Sequence, residues 1–174
     1  MKVILLAPTP PPHGGIAGWT KRMMETTLKN GWKVVVVDEK VTGKRDAYNA
    51  TKRNYIDETK RCIRIWSDLR KALKDKDALV VQACIPAGTT SMMREIVSAI
   101  ITKLHKRKFI VHFRCTLPNM VKSKISLKVF KKLIDVSDCV FVLNSASVEF
   151  LQKVNPNKKY ELIPNFIETL SLIH

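Results

Sequence analysis

The chain has 174 residues, 45% of them hydrophobic and 26% charged, the composition of a single globular domain. At this size about 70% of the unfolded surface is buried on folding, so the core needs no disulfide or metal staple, and a disordered, collagen-like or Cys-rich miniprotein chain is excluded. The imbalance is charge: 31 Lys and Arg against 15 Asp and Glu give a formal +16, which draws the chain to polyanions without choosing among nucleic acid, anionic lipid and phosphorylated small molecules.

The first element is a strand, Lys2–Leu6. Its apolar stretch, Val3–Ala7, is shorter than the roughly 7–15 residues of a secretory signal core. A proline-rich loop and Gly14-Gly15 follow, then a helix over Ile16–Asn30 that ends at Gly31, a residue suited to a left-handed cap. Further strands are expected at Lys33–Val37, Ala78–Val81, Phe109–Phe113, Cys139–Leu143 and Tyr160–Ile163. Helices are expected at Arg53–Lys74, Ser91–Lys106, Met120–Ile134 and Ser145–Val154.

Within Ser91–Lys106, the i, i+4 rule places Met92, Met93, Ile96, Val97, Ile100, Ile101 and Leu104 on one face. The strand runs are continuous rather than alternating, as in strands covered on both faces. The expected fold is therefore α/β: a Rossmann-like, doubly wound, mainly parallel sheet of about six strands in three α/β/α layers. No run of about 18 apolar residues suggests a membrane span. Cys62, Cys84, Cys115 and Cys139 form no CxxC pair, and read as buried thiols in a reducing cytoplasm.

In such sheets ligands bind beyond the carboxyl ends of the strands. The loops that matter are Pro8–Ala17, Gln82–Thr90 and Arg114–Asn119. Gly14-Gly15 opens directly into a helix, with Gly18 in its first turn. Bare backbone there, with free amides and the positive end of the helix dipole, favours phosphate or carboxylate. A plain helix-capping turn is the simpler alternative.

Named nucleotide motifs fail at this loop. A Walker A loop needs Lys-Ser/Thr after its last glycine, but Gly18 is followed by Trp19-Thr20. A dinucleotide fingerprint needs glycine at positions 13, 15 and 18, and position 13 is His13. Asp38, at a ribose-binding interval, keeps that rival open but reads better as the polar end of strand 2. Receiver chemistry needs an acidic cluster after strand 1, and Ala7-Pro8-Thr9 supplies none.

Three stretches together resemble a known family. KVILLAPTPPPHGGIAGWTKRM, KFIVHFRCTL and YELIPNFIE are similar, in order and spacing, to the N-terminal, acceptor-side domain of GT-B glycosyltransferases of family 4. The resemblance implies a hexosyltransferase of retaining type, moving sugar from a nucleotide-sugar donor to a glycan or lipid-linked acceptor in polysaccharide or cell-envelope synthesis. It implies residues 1–164 as the N-terminal domain and 165–174 as the start of a linker. The resemblance further implies that the donor-binding C-terminal domain is missing from residues 1–174, and that this chain alone is expected to lack a complete active site.

Carried over, the resemblance places His13, Gly14, Gly15 and Ile16 against the substrate or diphosphate, together with Asn119. It gives His112 and Arg114, at the end of strand 4, catalytic roles. A core histidine and a surface ion pair are their structural alternatives. Cys115 departs from the family's glycine there.

From Ile96 to Ile134 there are ten Lys and Arg and no acid. Lys124, Lys128, Lys131 and Lys132 share one helical arc, which suits an anionic membrane surface or merely solvent. The expected partners are the nucleotide-sugar donor, the acceptor and an anionic membrane surface, in a cytoplasmic protein peripheral to the inner membrane face. Nucleic acid is disfavoured for want of stacking aromatics. The alternative function is a basic Rossmann-like module binding nucleic acid or a dinucleotide. No cofactor and no metal are expected.

Overall fold

The computed structural model describes residues 1–11, 14–25, 31–41 and 55–164. In chain order the elements are β1 (Lys2–Ala7), α1 (Gly15–Glu25), β2 (Lys33–Asp38), α2 (Tyr55–Ala72), β3 (Ala78–Ile85), α3 (Thr89–Leu104), β4 (Lys108–Phe113), α4 (Leu117–Met120), α5 (Lys124–Val136), β5 (Cys139–Val142), α6 (Ser145–Val154) and β6 (Tyr160–Leu162). The strands form one six-stranded sheet in the order β2-β1-β3-β4-β5-β6, parallel throughout. This is the three-layer α/β/α architecture that the continuous apolar runs predict.

Strand order reverses at β1. The chain moves outward from β1 to β2, then crosses back to β3, so the sheet's switch point lies between β1 and β3. Alternation along each strand divides the apolar residues between two faces. Ile4, Leu6, Val81, Phe109 and Val140 pack under α2, α3, α5 and α6, with Leu69, Met92, Phe130 and Leu151. Leu5, Ala7 and Cys84 point to the other face, where Trp19 of α1 covers them with Ile16 and Met23.

Element boundaries differ from expectation where polar residues do structural work. β3 continues past Val81 to Ile85, because Gln82 finds a partner on β4. The single helix expected over Met120–Ile134 is two. Pro118 sits in the first turn of α4, and Ser123 starts α5 with a capping box in which the Ser123 and Ser126 side chains each take the other's amide. The expected end of the first helix, at Asn30, lies outside the described residues.

The largest difference is the face of α3. Met92 and Ile101 are buried as expected, but Leu104 is 77% exposed, and Met93 and Ile100 are exposed as well. The buried face instead carries Arg94, Glu95, Ser98 and Thr102. No helix among the described residues is long and apolar enough to cross a membrane.

Candidate functional site

The first turn of α1 begins at the carboxyl end of β1. Gly18 N–H donates to Gly14 O at 2.8 Å, which closes the first helical hydrogen bond. Helix geometry leaves the amides of Gly15, Ile16 and Ala17 without a partner inside the helix. A Cβ built on Gly14, Gly15 or Gly18 meets no atom within 4 Å, so these glycines border open space. That space is a cleft of about 530 Å³ lined by Gly14, Gly15, Trp19, Arg22, Arg114 and Leu143, with Ile16 and Gly18.

The loop entering this turn is anchored at the end of β2. Asp38 accepts from Thr9 N–H at 3.0 Å, from Thr9 Oγ1 at 2.6 Å and from Lys40 N–H at 2.8 Å. Burial pushes the Asp38 carboxyl up, but the bonds from Thr9 and Lys40 outweigh it and hold it below its ordinary value. Asp38 is thus engaged by the protein's own backbone.

The opposite wall comes from the tip of β4. The Arg114 guanidinium stacks over Trp19, 4.9 Å from the ring centroid, and its Nη1 lies 3.4 Å from His112 Nε2. His112 is 1% exposed, set edge-on between Trp19 and Phe141. The Gln82 amide nitrogen lies 3.2 Å from its Nδ1. Burial, reinforced by the Arg114 charge, lowers its pKa to about 3. The ring is neutral at physiological pH and supports Arg114 from beneath. Beside it, burial pushes the Cys84 thiol up to about 12, so Cys84 is protonated and not a nucleophile.

Of the residues singled out in the sequence, Gly14, Gly15, Ile16 and Arg114 meet at this cleft. His112 lies under it, while Asn119 is exposed on α4 and does not line it. His13 is outside the described residues. Lys124, Lys128, Lys131 and Lys132 are all exposed on α5, whose Phe130, Leu133 and Ile134 are buried in the core. The apolar side of that helix is therefore consumed by the sheet.

Sequence reasoning missed Trp19 and Arg22. Residues 15, 18, 19 and 22 follow the i, i+3, i+4, i+7 spacing of one helical face, which was the available signal. Among the described residues, no three His, Cys, Asp or Glu side chains come together as a metal site.

No family model matches the chain, and no curated protein matches it. Solved structures do. Phosphomethylpyrimidine kinase from Clostridium difficile 630 is similar at a TM-score of 0.54 and 10% identity, over 92% of this chain and 65% of the kinase. Pyridoxal kinase from Leishmania donovani, in complex with ADP, is similar at 0.52 and 11% identity, over 87% of this chain and 52% of that one. The chain thus spans between half and two thirds of these kinases, and likeness at such identity shows the fold.

These matches correct the glycosyltransferase resemblance. The neighbours are a phosphomethylpyrimidine kinase and a pyridoxal kinase, not N-terminal domains of GT-B enzymes. A retaining hexosyltransferase, a role in polysaccharide or cell-envelope synthesis, and a nucleotide-sugar donor with a glycan or lipid-linked acceptor fall with it. So does the anionic membrane surface expected as a partner, and the alternative of a nucleic-acid or dinucleotide module is not supported either.

The physical reason is that the motifs were not discriminating. A glycine turn opening a helix after strand 1 is an anion-binding device of doubly wound sheets in general. The histidine of the strand-4 motif is buried beneath Trp19 and Arg114. The last matched stretch runs past residue 164, beyond the described residues.

Proposed function

We propose that the cleft at the start of α1 binds the phosphates of a nucleotide, and that the chain acts in phosphoryl transfer to a small molecule. One observation carries this reading: Arg22, Arg114 and the glycine-lined first turn of α1 surround a single cleft at the carboxyl rim of the sheet. Amides of a helix start and guanidinium groups are the two protein devices best suited to phosphate oxygens. Phosphoryl transfer asks mainly for positioning and for fixed positive charge beside spreading negative charge.

Likeness to two small-molecule kinases, one solved with ADP, supports the same chemistry. On this reading the amides of Gly15 and Ile16 take phosphate oxygens, and Arg114 gives a bidentate contact from the β4 tip. His112 and Trp19 hold the guanidinium in place. Four free cysteines, none in a disulfide, support a reducing, cytoplasmic setting.

The test is direct. Calorimetric titration with ADP is expected to show binding that weakens at least tenfold in Arg114→Ala and falls with added salt. Transfer of label from γ-labelled ATP to a hydroxymethyl-bearing heterocycle such as pyridoxal is expected from the whole protein. Absence of ADP binding up to millimolar concentration contradicts the proposal.

A further inference from the structure

Polar residues of α3 face the core and have partners there. Arg94 Nη2 donates to Glu39 Oε2 at 2.7 Å, Arg94 Nε donates to Glu95 Oε1 at 2.6 Å, and Thr102 Oγ1 donates to Ser98 O at 2.8 Å. Those bonds set the rotation of the helix, so its apolar residues face outward. Met93 is 54% exposed, Ile100 46% and Leu104 77%, with Val97 half-buried between them. Single exposed apolar residues are ordinary, but a continuous row on one helix marks a contact surface.

Met93, Val97, Ile100 and Leu104 lie four, three and four positions apart, the 3.5-residue period of a seam between helices. The spacing reads the same in either direction. A two-fold axis across its middle therefore sets Met93 against Leu104 of a second copy, and Val97 against Ile100. Shape follows the same pairing. Beside Met93 and Val97 lies an apolar groove of about 350 Å³, whose other wall includes Tyr55, Cys62 and Trp66 of α2. Trp66 Nε1 donates to Arg94 O at 3.4 Å and holds that wall to α3. Leu104, the most exposed of the four, stands at the far end of the row as the matching knob.

Charge and area also fit a second copy. Arg94 and Glu95 are the only charged residues of α3 before Lys103, and both are buried, while Lys103 donates to Asp138 at 3.2 Å. Two copies of a +16 chain thus meet on this row without opposing lysines. Met93, Ile100 and Leu104, with the exposed Tyr55, Ile56 and Ile63 of α2, offer about 100 Å² of apolar surface apiece. That is roughly 600 Å² of the ~800 Å² that each partner brings to a standard interface.

We propose that the outward row of α3 is the interface of a two-fold homodimer, in which α3 crosses its copy antiparallel and Leu104 of each chain enters the α2–α3 groove of the other. The assembly does not depend on the phosphate reading, since α1 and its glycine turn lie on the other face of the sheet.

Analytical ultracentrifugation from micromolar to submillimolar protein tests it. The wild type is expected to form a dimer of twice 19.8 kDa that dissociates on dilution. Leu104→Arg and Met93→Glu, both at exposed positions, are each expected to weaken dimerisation at least tenfold with an unchanged far-ultraviolet circular dichroism spectrum. Ile125→Glu, also exposed but on α5, is expected to leave the dimer intact. Mixing Leu104→Arg with Met93→Glu is expected to restore a heterodimer, because one junction becomes an arginine–glutamate pair and the other keeps Met93 against Leu104. A wild-type monomer throughout that range overturns the proposal, whether the row stays bare or another part of the chain covers it. So does a dimer that survives Leu104→Arg or is lost equally in Ile125→Glu, an open-ended oligomer, or a mixture that stays monomeric.

Discussion

Two arginines near the carboxyl rim of the sheet are held in opposite ways. Arg94 is clamped between Glu39 and Glu95, with its charge spent on carboxylates inside the core. Arg114 rests on an aromatic ring and a neutral imidazole at the edge of an open cleft. The first arrangement fixes α3 to the end of β2. The second holds a half-buried guanidinium against Trp19 in the wall of the cleft. The same side chain is a clamp inside the core in one place and part of a cleft wall in the other, and its neighbours decide which.

Breaking the clamp has the largest expected effect. Arg94→Ala leaves two buried carboxyl groups without their cation, and is expected to cost about 3–5 kcal/mol, read from the midpoint of urea denaturation. Replacing Glu39, Arg94 and Glu95 together by apolar residues of similar size is expected to restore much of that loss. A small effect of Arg94→Ala alone would remove the contrast between the two arginines.

Titration sharpens the comparison. The unfolded chain protonates His112 near its ordinary value of 6.5, whereas the folded chain resists until about 3. Between those values the unfolded state binds the extra proton, so stability falls as pH falls, by about 1.4 kcal/mol per unit at most. Glu39 has the reverse sign. Its raised pKa means the folded state holds the extra proton, so its contribution declines as pH rises above the ordinary carboxylate range. His112→Gln is expected to flatten the acid limb of a stability–pH profile and leave the limb from Glu39.

Arg114→Ala is expected to weaken anion binding by about 1.5–3 kcal/mol, the range of a charge-assisted hydrogen bond, with little change in denaturation midpoint. Thr9→Val removes the hydroxyl donor to Asp38 and is expected to cost about 1 kcal/mol while loosening the loop into α1. Lys128→Gln, on the solvated face of α5, is expected to change stability by less than about 0.5 kcal/mol.

Much of the fold was legible because the parallel strands are continuous apolar runs. Ser145–Val154 was expected with its observed bounds, and the glycine turn was read as facing the ligand edge. What escaped the sequence has one physical origin: polar residues buried with partners far away in the chain. Arg94 and Glu95 look like a solvated pair until Glu39, 55 residues away, closes the cluster. For that reason the face of α3 was read toward Leu104. Gln82 likewise seemed to end β3, since its partner His112 lies 30 residues on. The cleft wall was half visible, because Arg114 sits on a strand tip, whereas Trp19 and Arg22 required the phase of α1.

Isothermal titration of the protein with ADP, in parallel with Arg114→Ala and Lys128→Gln, tests the central contrast most directly. Cleft binding predicts measurable affinity in the wild type and in Lys128→Gln, and at least a tenfold loss in Arg114→Ala with unchanged stability. Equal affinity in all three proteins would make ADP binding a matter of general positive charge, and would contradict the assignment of the glycine cleft.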